Sequence, residues 1–203
     1  YAIGSQAFKS TDGGSNWRML GGITGARVLV VDPVSTSKIY AGTGRGVWES
    51  TDSGETWAFA GLPGISITTL VIDPLTPSTL YAGGLSDQVY RSTDGGATWT
   101  GFSVGFPDSS RSAVVSMLID PSTPATLYLI AAGSGSPLYK STDGAQSWSV
   151  IASGPFFRLL MITSSRLYAM LGGAGFSTST DGGATWMSTG FAKDVLSIVF
   201  DPA

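Results

Sequence analysis

The sequence predicts an all-β protein assembled from repeated four-stranded antiparallel sheets, and three observations lead to that prediction. A box of the form Ser-x-Asp-x-Gly-x-x-Trp occurs five times along the chain. A second motif, made of an apolar run, a polar link and an alternating run with Tyr, precedes the boxes. No window shows a sustained period of 3.6 residues, so helix is essentially absent.

The boxes cover residues 10–17, 50–57, 92–99, 141–148 and 179–186. Their Asp residues are separated by 40, 42, 49 and 38 positions, a period that fits four short strands with turns and so predicts the blades of a β-propeller. Within a box, Asp can accept hydrogen bonds from its own turn, Gly supplies positive φ, and Trp packs between sheets. We therefore interpret ten box residues as structural: Asp12, Trp17, Asp52, Trp57, Asp94, Trp99, Asp143, Trp148, Asp181 and Trp186. Ala145 replaces the second Gly of the fourth box, which predicts a looser or differently shaped turn there.

Each repeat is divided into four strand positions, A to D. Position A is the apolar run, as in residues 28–31, and position B is the run with Tyr, as at Tyr40. Position C enters the box, and position D begins at its Trp. Because position A is apolar on both faces, we expect it to be the innermost strand, covered on either side by neighbouring sheets.

The two ends of the sequence complement each other. Tyr1 already belongs to a position B strand, whereas residues 196–201 form a position A strand without a following position B strand. Joined through space, they would complete a fifth blade and remove exposed sheet edges. We therefore predict a single domain, residues 1–203, that closes as a five-bladed ring in which the C-terminal strand pairs with the N-terminal sheet. The alternative is that the five repeats belong to a larger ring.

Composition excludes several kinds of site. The chain has no Cys and no His, which excludes disulfides, thiol nucleophiles, cysteine zinc sites and Ser-His-Asp catalysis, so we expect no metal and no cofactor. The net charge is -3 and the 11 Lys and Arg residues are scattered, so nucleic acid is not an expected partner. No apolar run approaches the ~18 residues of a membrane-spanning helix. A surface poor in Lys and rich in Ser, Thr and Gly is compatible with an extracytoplasmic location (secreted, periplasmic or lumenal), which is the location we expect.

The box, together with a Tyr-Ala-Gly run before it at Tyr40 and Tyr81, resembles the BNR or Asp-box repeat of β-propellers. That family includes sialidases, xyloglucanases, sortilin-type receptors and photosystem II assembly-factor propellers. The resemblance implies the propeller fold for the whole chain. It does not imply one function, because the activities of the family differ widely.

Charges and aromatic residues outside the motifs fall mainly in the B-to-C and D-to-A connections, which share one face of a blade. Loops on one face of a rigid scaffold commonly carry binding, and the candidate residues there are Arg27, Arg45, Asp87, Phe106, Asp108, Arg111, Phe156, Phe157, Arg158, Phe191, Lys193 and Asp194. Arg27, Arg111 and Arg158 each precede an inner strand and could together hold a carboxylate or sulfate. Alternatively they pair with Asp108 and Asp194, and the Phe residues pack under their own loops.

Few carboxylates remain for catalysis. Glycoside hydrolysis needs two facing carboxylates, and only Asp87, Asp108 and Asp194 lie outside the motifs. We therefore expect no catalytic residues and no enzyme activity. The sequence favours an interaction or assembly module that binds a protein partner or larger complex through its loop face. The alternatives are a lectin-like, carbohydrate-binding propeller and a fragment of a larger glycoside hydrolase propeller.

Overall fold

The computed structural model describes residues 1–4, 6–106, 113–132, 135–154, 156–163, 166–171 and 175–191. The regular secondary structure of these ranges consists of β-strands alone, which confirms the all-β prediction. No helix in the described ranges could cross a membrane. The chain divides into two compact units, Tyr1–Phe102 and Ser103–Ala203, and each is described by itself.

The first unit contains three antiparallel sheets. The first sheet has three strands: β1 (Ala2–Ile3), β2 (Ala7–Lys9) and β3 (Arg18–Met19). The second has four strands: β4 (Ala26–Val31), β5 (Ile39–Thr43), β6 (Gly46–Ser50) and β7 (Ala58–Phe59). The third also has four: β8 (Ile67–Ile72), β9 (Leu80–Gly84), β10 (Gln88–Ser92) and β11 (Thr100–Ser103). Consecutive strands are hydrogen-bonded neighbours in every sheet, as expected for propeller blades.

The second unit contains two more sheets of four antiparallel strands. One is formed by β12 (Val114–Ile119), β13 (Leu127–Ala131), β14 (Leu138–Ser141) and β15 (Ser149–Ala152). The other is formed by β16 (Phe156–Thr163), β17 (Arg166–Leu171), β18 (Gly175–Ser179) and β19 (Met187–Ser188). The C-terminal strand expected over residues 196–201 lies outside the described residues. Five-bladed ring closure and the single domain 1–203 therefore stay predictions.

Burial is deepest in the second strand of the four-stranded sheets, at position B. Every residue of β5, β9 and β13 is buried, whereas β4, β8 and β12 mix buried residues with half-buried ones. The expectation that neighbouring sheets flank position A agrees with the contacts of β4 with β1 and β8, and of β12 with β16. Position A is nevertheless an edge strand of its sheet, while position B has a hydrogen-bonded strand on each side and is the more deeply buried of the two.

Adjacent sheets are held together by the box Trp residues. In the first unit, Trp57 packs on the buried cluster around Leu20, and the Trp99 indole donates a hydrogen bond to the Ala60 carbonyl at 2.8 Å. In the second unit, Trp186 packs on the buried cluster that contains Tyr128 and Leu138 of the preceding sheet. A box Trp thus contacts the preceding sheet of its own unit in each of these cases.

The position A strands share a β-bulge near their start. In β4 the register with β5 shifts between Ala26 and Val28, which leaves Arg27 as the extra residue. The same shift in β8, β12 and β16 makes Thr68, Val115 and Phe157 the extra residues. A bulge bends its strand and changes the direction in which a side chain points. Each of these four sheets has a different residue type at this position.

Candidate functional site

The box turns use their own side chains as hydrogen-bonding partners. In the second box, Ser50 Oγ donates to Asp52 Oδ1 at 2.8 Å and accepts the Gly54 N–H at 2.7 Å. The Thr56 hydroxyl and backbone N–H donate to the two oxygens of Asp52 at 2.6 and 2.9 Å. These donors, the Thr56 hydroxyl first, hold the pKa of Asp52 at about 2. The Asp52 carboxylate is therefore already engaged by its own turn.

The same arrangement lowers the pKa of the other box carboxylates to about 2. These carboxylates are Asp12, Asp94, Asp143 and Asp181. In each box the leading hydrogen-bond donor is the side chain or the backbone N–H of the residue four positions after the Asp. The fourth turn keeps the hydrogen bond of the box, because the Ala145 N–H donates to Ser141 Oγ at 3.0 Å. It is differently shaped, as one of the two expectations had it: Ala145 has a φ of 72°, whereas the Gly at this position of the other boxes has a φ of 91–93°.

A cleft of about 500 Å³ lies in the first unit, between the β3–β4 connection and the β5–β6 hairpin. We call it the loop cleft, and its lining residues are Gly22, Ile23, Thr24, Gly25, Arg27, Thr43, Gly44, Arg45 and Trp48. It brings together Arg27 and Arg45, two predicted site residues from different connections. Clefts of this size with a few convergent polar groups are the usual form of a ligand site.

Backbone geometry positions the two arginines of the loop cleft. Arg27 is the bulged residue of β4, and its Nη1 donates to Ser66 Oγ at 2.5 Å. In the hairpin, Thr43 Oγ1 accepts the Arg45 N–H at 3.0 Å and donates to the Gly46 carbonyl at 2.9 Å. These bonds fix the turn that carries Arg45. Both arginine side chains are exposed.

Trp48 supplies the aromatic wall of the loop cleft. Its ring meets Phe59 edge to face, with centroids 5.5 Å apart and planes at 78°, and it packs on the cluster that contains Ala26 and Ala41. No described residue accepts a hydrogen bond from its indole N–H. The ring is therefore held rigidly while its N–H stays available, a combination suited to a partly polar ligand.

The remaining predicted site residues fall in different surroundings. Asp87 is half-buried in the β9–β10 turn, and Phe191 is 56% exposed. Phe106 packs edge to face on Tyr139, with centroids 5.4 Å apart. Arg158 is exposed within β16, one position after the bulge.

Two expectations about these residues are corrected. Phe156 is 2% exposed in the core beside Trp186, so it cannot serve as a surface contact. Arg27 and Arg158 lie inside β4 and β16 instead of before them, at successive and therefore different positions of the repeat. Other predicted residues lie outside the described part of the chain: Asp108, Arg111, Lys193, Asp194 and the side chain of Phe157.

Sequence reasoning missed Trp48 as a site residue, because its repeated position before the box suggests packing between blades. The signal available was its separation of three residues from Arg45, on the strand that leaves the hairpin. It also missed a cation above the ring of the position B Tyr. Lys38 Nζ lies 5.1 Å from the Tyr40 centroid, and Lys140 Nζ lies 5.2 Å from that of Tyr128.

Comparisons with known proteins place these features among propeller proteins. The family model described as Sortilin-Vps10 (sortilin, neurotensin receptor 3) matches residues 45–155. Xyloglucanase Xgh74A of Acetivibrio thermocellus is 33% identical over 45% of this chain and 15% of its own length. A xyloglucanase of Paenibacillus sp. is 33% identical over 45% of this chain and 13% of its own length.

Solved structures show the same architecture. An ancestral GH74 enzyme has a TM-score of 0.74 at 22% identity, with 91% of this chain and 28% of that chain covered. The GH74 enzyme of Niastella koreensis has a TM-score of 0.71 at 27% identity, over 89% and 33%. YCF48 bound to D1 peptide has a TM-score of 0.64 at 19% identity, over 90% and 61%. The BNR-repeat β-propeller resemblance is thereby confirmed.

The comparisons correct the expectation that the chain is not an enzyme, because curated relatives at 33% identity are xyloglucanases. The chain spans 15% of the length of the first of these relatives. The two facing carboxylates of a glycosidase can come from different repeats, so a carboxylate count over so short a stretch does not test for glycosidase activity.

Proposed function

We propose that this chain, which belongs to the Sortilin-Vps10 family, is a segment of a larger glycoside hydrolase propeller and binds a polysaccharide in the loop cleft. The 33% identity with xyloglucanases supports the hydrolase part of the proposal. The observation that carries this proposal is the convergence of Arg27, Arg45 and Trp48 on one cleft. The expected extracytoplasmic location belongs to the same proposal, since cell-wall polysaccharides lie outside the cytoplasm.

The chemistry of the cleft suits a sugar. Trp48 offers an apolar ring with a free N–H, and the guanidiniums of Arg27 and Arg45 offer hydrogen-bond donors to hydroxyl oxygens. The glycines of the β3–β4 connection, Gly22 and Gly25, have positive φ and no side chain to obstruct the wall. The described lining holds no carboxylate. In the proposed hydrolase this cleft therefore holds the polymer, while two facing carboxylates cleave it.

The test is binding of a xyloglucan oligosaccharide to the full chain, measured by isothermal titration calorimetry. Trp48→Ala and Arg45→Ala are expected to weaken binding by about tenfold or more, because each removes a main polar or aromatic contact. Trp17→Ala is the matched control, since Trp17 is a half-exposed Trp that does not line the cleft. Thermal unfolding of each variant separates lost binding from lost folding. Unchanged affinity in folded Arg45→Ala and Trp48→Ala would overturn the proposal.

A protein-docking surface is the second candidate function. The supporting observation is Phe191, which follows β19 and is 56% exposed although its carbonyl accepts the Phe176 N–H at 3.2 Å. A large apolar side chain held by a fixed backbone is a common anchor of protein interfaces. Purification of the native protein with its companions, followed by mass spectrometry, tests this candidate. A stoichiometric companion that Phe191→Asp releases would support docking, and purification of the protein alone would count against it.

A further inference from the structure

The loop cleft is positively charged and has no internal counter-ion. Arg27 and Arg45 both line it, and no Asp or Glu is among its described lining residues. The ion pairs in the described part of the first unit lie elsewhere, at Arg18 with Glu55 and Lys38 with Glu49. Two exposed guanidiniums without a carboxylate between them repel each other, and a bound anion would relieve that repulsion.

The Arg27 guanidinium is held in place for such an anion. Its Nη1 donates to Ser66 Oγ, and the Ser66 carbonyl in turn accepts the Leu85 N–H at 3.1 Å. Its Nη2 lies 3.9 Å from where a Cβ on Gly44 would be, so the guanidinium sits beside the hairpin turn that carries Arg45. A guanidinium that is already ordered loses less conformational entropy on binding, and its planar donors match a carboxylate.

Most acids of the first unit lie at the opposite end of its sheets; Asp87, in the β9–β10 turn, lies at the same end as the cleft but is not among its lining residues. The box turns with Asp52 and Asp94 follow β6 and β10, and Asp32 and Asp73 follow β4 and β8. The cleft, by contrast, lies at the end where β5 turns into β6. Because alternate turns of an antiparallel sheet lie at opposite ends, the guanidiniums of the cleft are separated from these carboxylates by a strand length.

We propose that the loop cleft binds a sugar unit that carries a carboxylate, a uronate, with Arg27 and Arg45 on the carboxylate and Trp48 against the sugar ring. This inference rests on the proposed polysaccharide function and names its substrate class. A saccharide fits better than an acidic peptide because glycines, the Thr24 hydroxyl and the Trp48 ring form most of the remaining lining. Charge-assisted hydrogen bonds to a carboxylate are about twice as strong as those to a neutral hydroxyl.

The experiment compares an oligogalacturonate with a neutral xyloglucan oligosaccharide of similar length, on the full chain, at low and high salt. The oligogalacturonate is expected to bind about tenfold more tightly at low salt, and added salt should reduce this advantage. Arg27→Gln and Arg45→Gln should each remove most of the preference while neutral binding is less affected. Arg18→Gln is the control, because Arg18 pairs with Glu55 away from the cleft.

The outcomes separate this inference from the proposed function. Equal affinity for both saccharides overturns the uronate inference and leaves polysaccharide binding intact. Binding of neither saccharide overturns both proposals. A glutamate peptide of equal charge that competes as well as oligogalacturonate overturns the uronate inference in favour of a peptide ligand. A preference that persists in both Gln variants overturns the assignment of Arg27 and Arg45.

Discussion

Gly61 is a position where a single methyl group should disturb the packing between two sheets. It follows β7 with a φ of 108°, a conformation that side chains rarely adopt. A Cβ at Gly61 would lie 2.6 Å from Cδ1 and 2.7 Å from Nε1 of Trp99. The same indole N–H donates to the carbonyls of Ala60 at 2.8 Å and Gly96 at 3.0 Å. Gly61→Ala therefore affects backbone conformation, packing and a hydrogen bond together.

The expected loss of stability is the sum of these effects. Backbone strain at such a φ costs of order 1–3 kcal/mol, and overpacking a fixed indole costs about 1–3 kcal/mol more. Displacement of Trp99 would weaken a hydrogen bond worth about 1 kcal/mol. Because the ring can shift and relieve part of the clash, we expect Gly61→Ala to lower the free energy of unfolding by about 3–5 kcal/mol. That is a large share of the roughly 5–15 kcal/mol that stabilises a typical domain.

The assay is equilibrium denaturation in urea, followed by circular dichroism. Gly64→Ala is the matched control, because Gly64 also has positive φ, at 77°, but no atom lies within 4 Å of its would-be Cβ. The control should cost only the backbone strain, about 1 kcal/mol. Equal losses for Gly61→Ala and Gly64→Ala would refute the role assigned to Trp99. A smaller loss for Gly61→Ala in a Trp99→Phe background would support it, since the clashing atoms would be reduced.

Two further predictions concern the box turns. Ser53 has a φ of 64° at a position where the other four boxes have Gly. Ser53→Gly should therefore raise the free energy of unfolding by about 0.5–1 kcal/mol and raise Tm by about 1–4 °C in calorimetry. An unchanged or lower Tm would contradict the strain argument. The box carboxylates have folded pKa values of about 2, below their usual range, so the stability they contribute should be fully present above about pH 4 and be lost as pH falls toward 2. Asp52→Asn should flatten this acid dependence in denaturant titrations at several pH values, and an unchanged slope would count against the assignment.

The strands and turns could be predicted because their determinants are local and repeated. The box brings Ser, Asp, Gly and a Thr, Ser or Asn within seven positions, and their hydrogen bonds close within that turn, as at Ser50, Asp52 and Thr56. Alternating apolar and polar residues then define the strands on either side. No long-range contact is needed to recognise either feature, so single-sequence patterns are sufficient for the repeat and its sheets.

Burial and the candidate site depend on contacts between repeats, which those patterns do not contain. Phe156 occupies a connection in sequence, but it is buried beside Trp186 because the next strand begins at Phe156 itself. Arg27 and Arg45 are 18 positions apart, and only the pairing of β4 with β5 brings them to one cleft. Ser66, the partner of Arg27, lies directly before β8, the first strand of the next sheet.

The β-bulge recurs in four sheets, but the residue at the bulge differs from sheet to sheet. At the box and at position B, the same residue types recur because hydrogen bonds and core packing restrict the choice. At the bulge, two residues of the strand face one residue of the neighbouring strand, and the chain places Arg27, Thr68, Val115 and Phe157 at the extra position. Arg27 is exposed and Val115 is 43% exposed, so substitution at this point changes the surface of a sheet without changing its pairing. A repeat built in this way can acquire a binding residue in one sheet while its fold stays the same, and the cleft beside Arg27 is where the first unit does so.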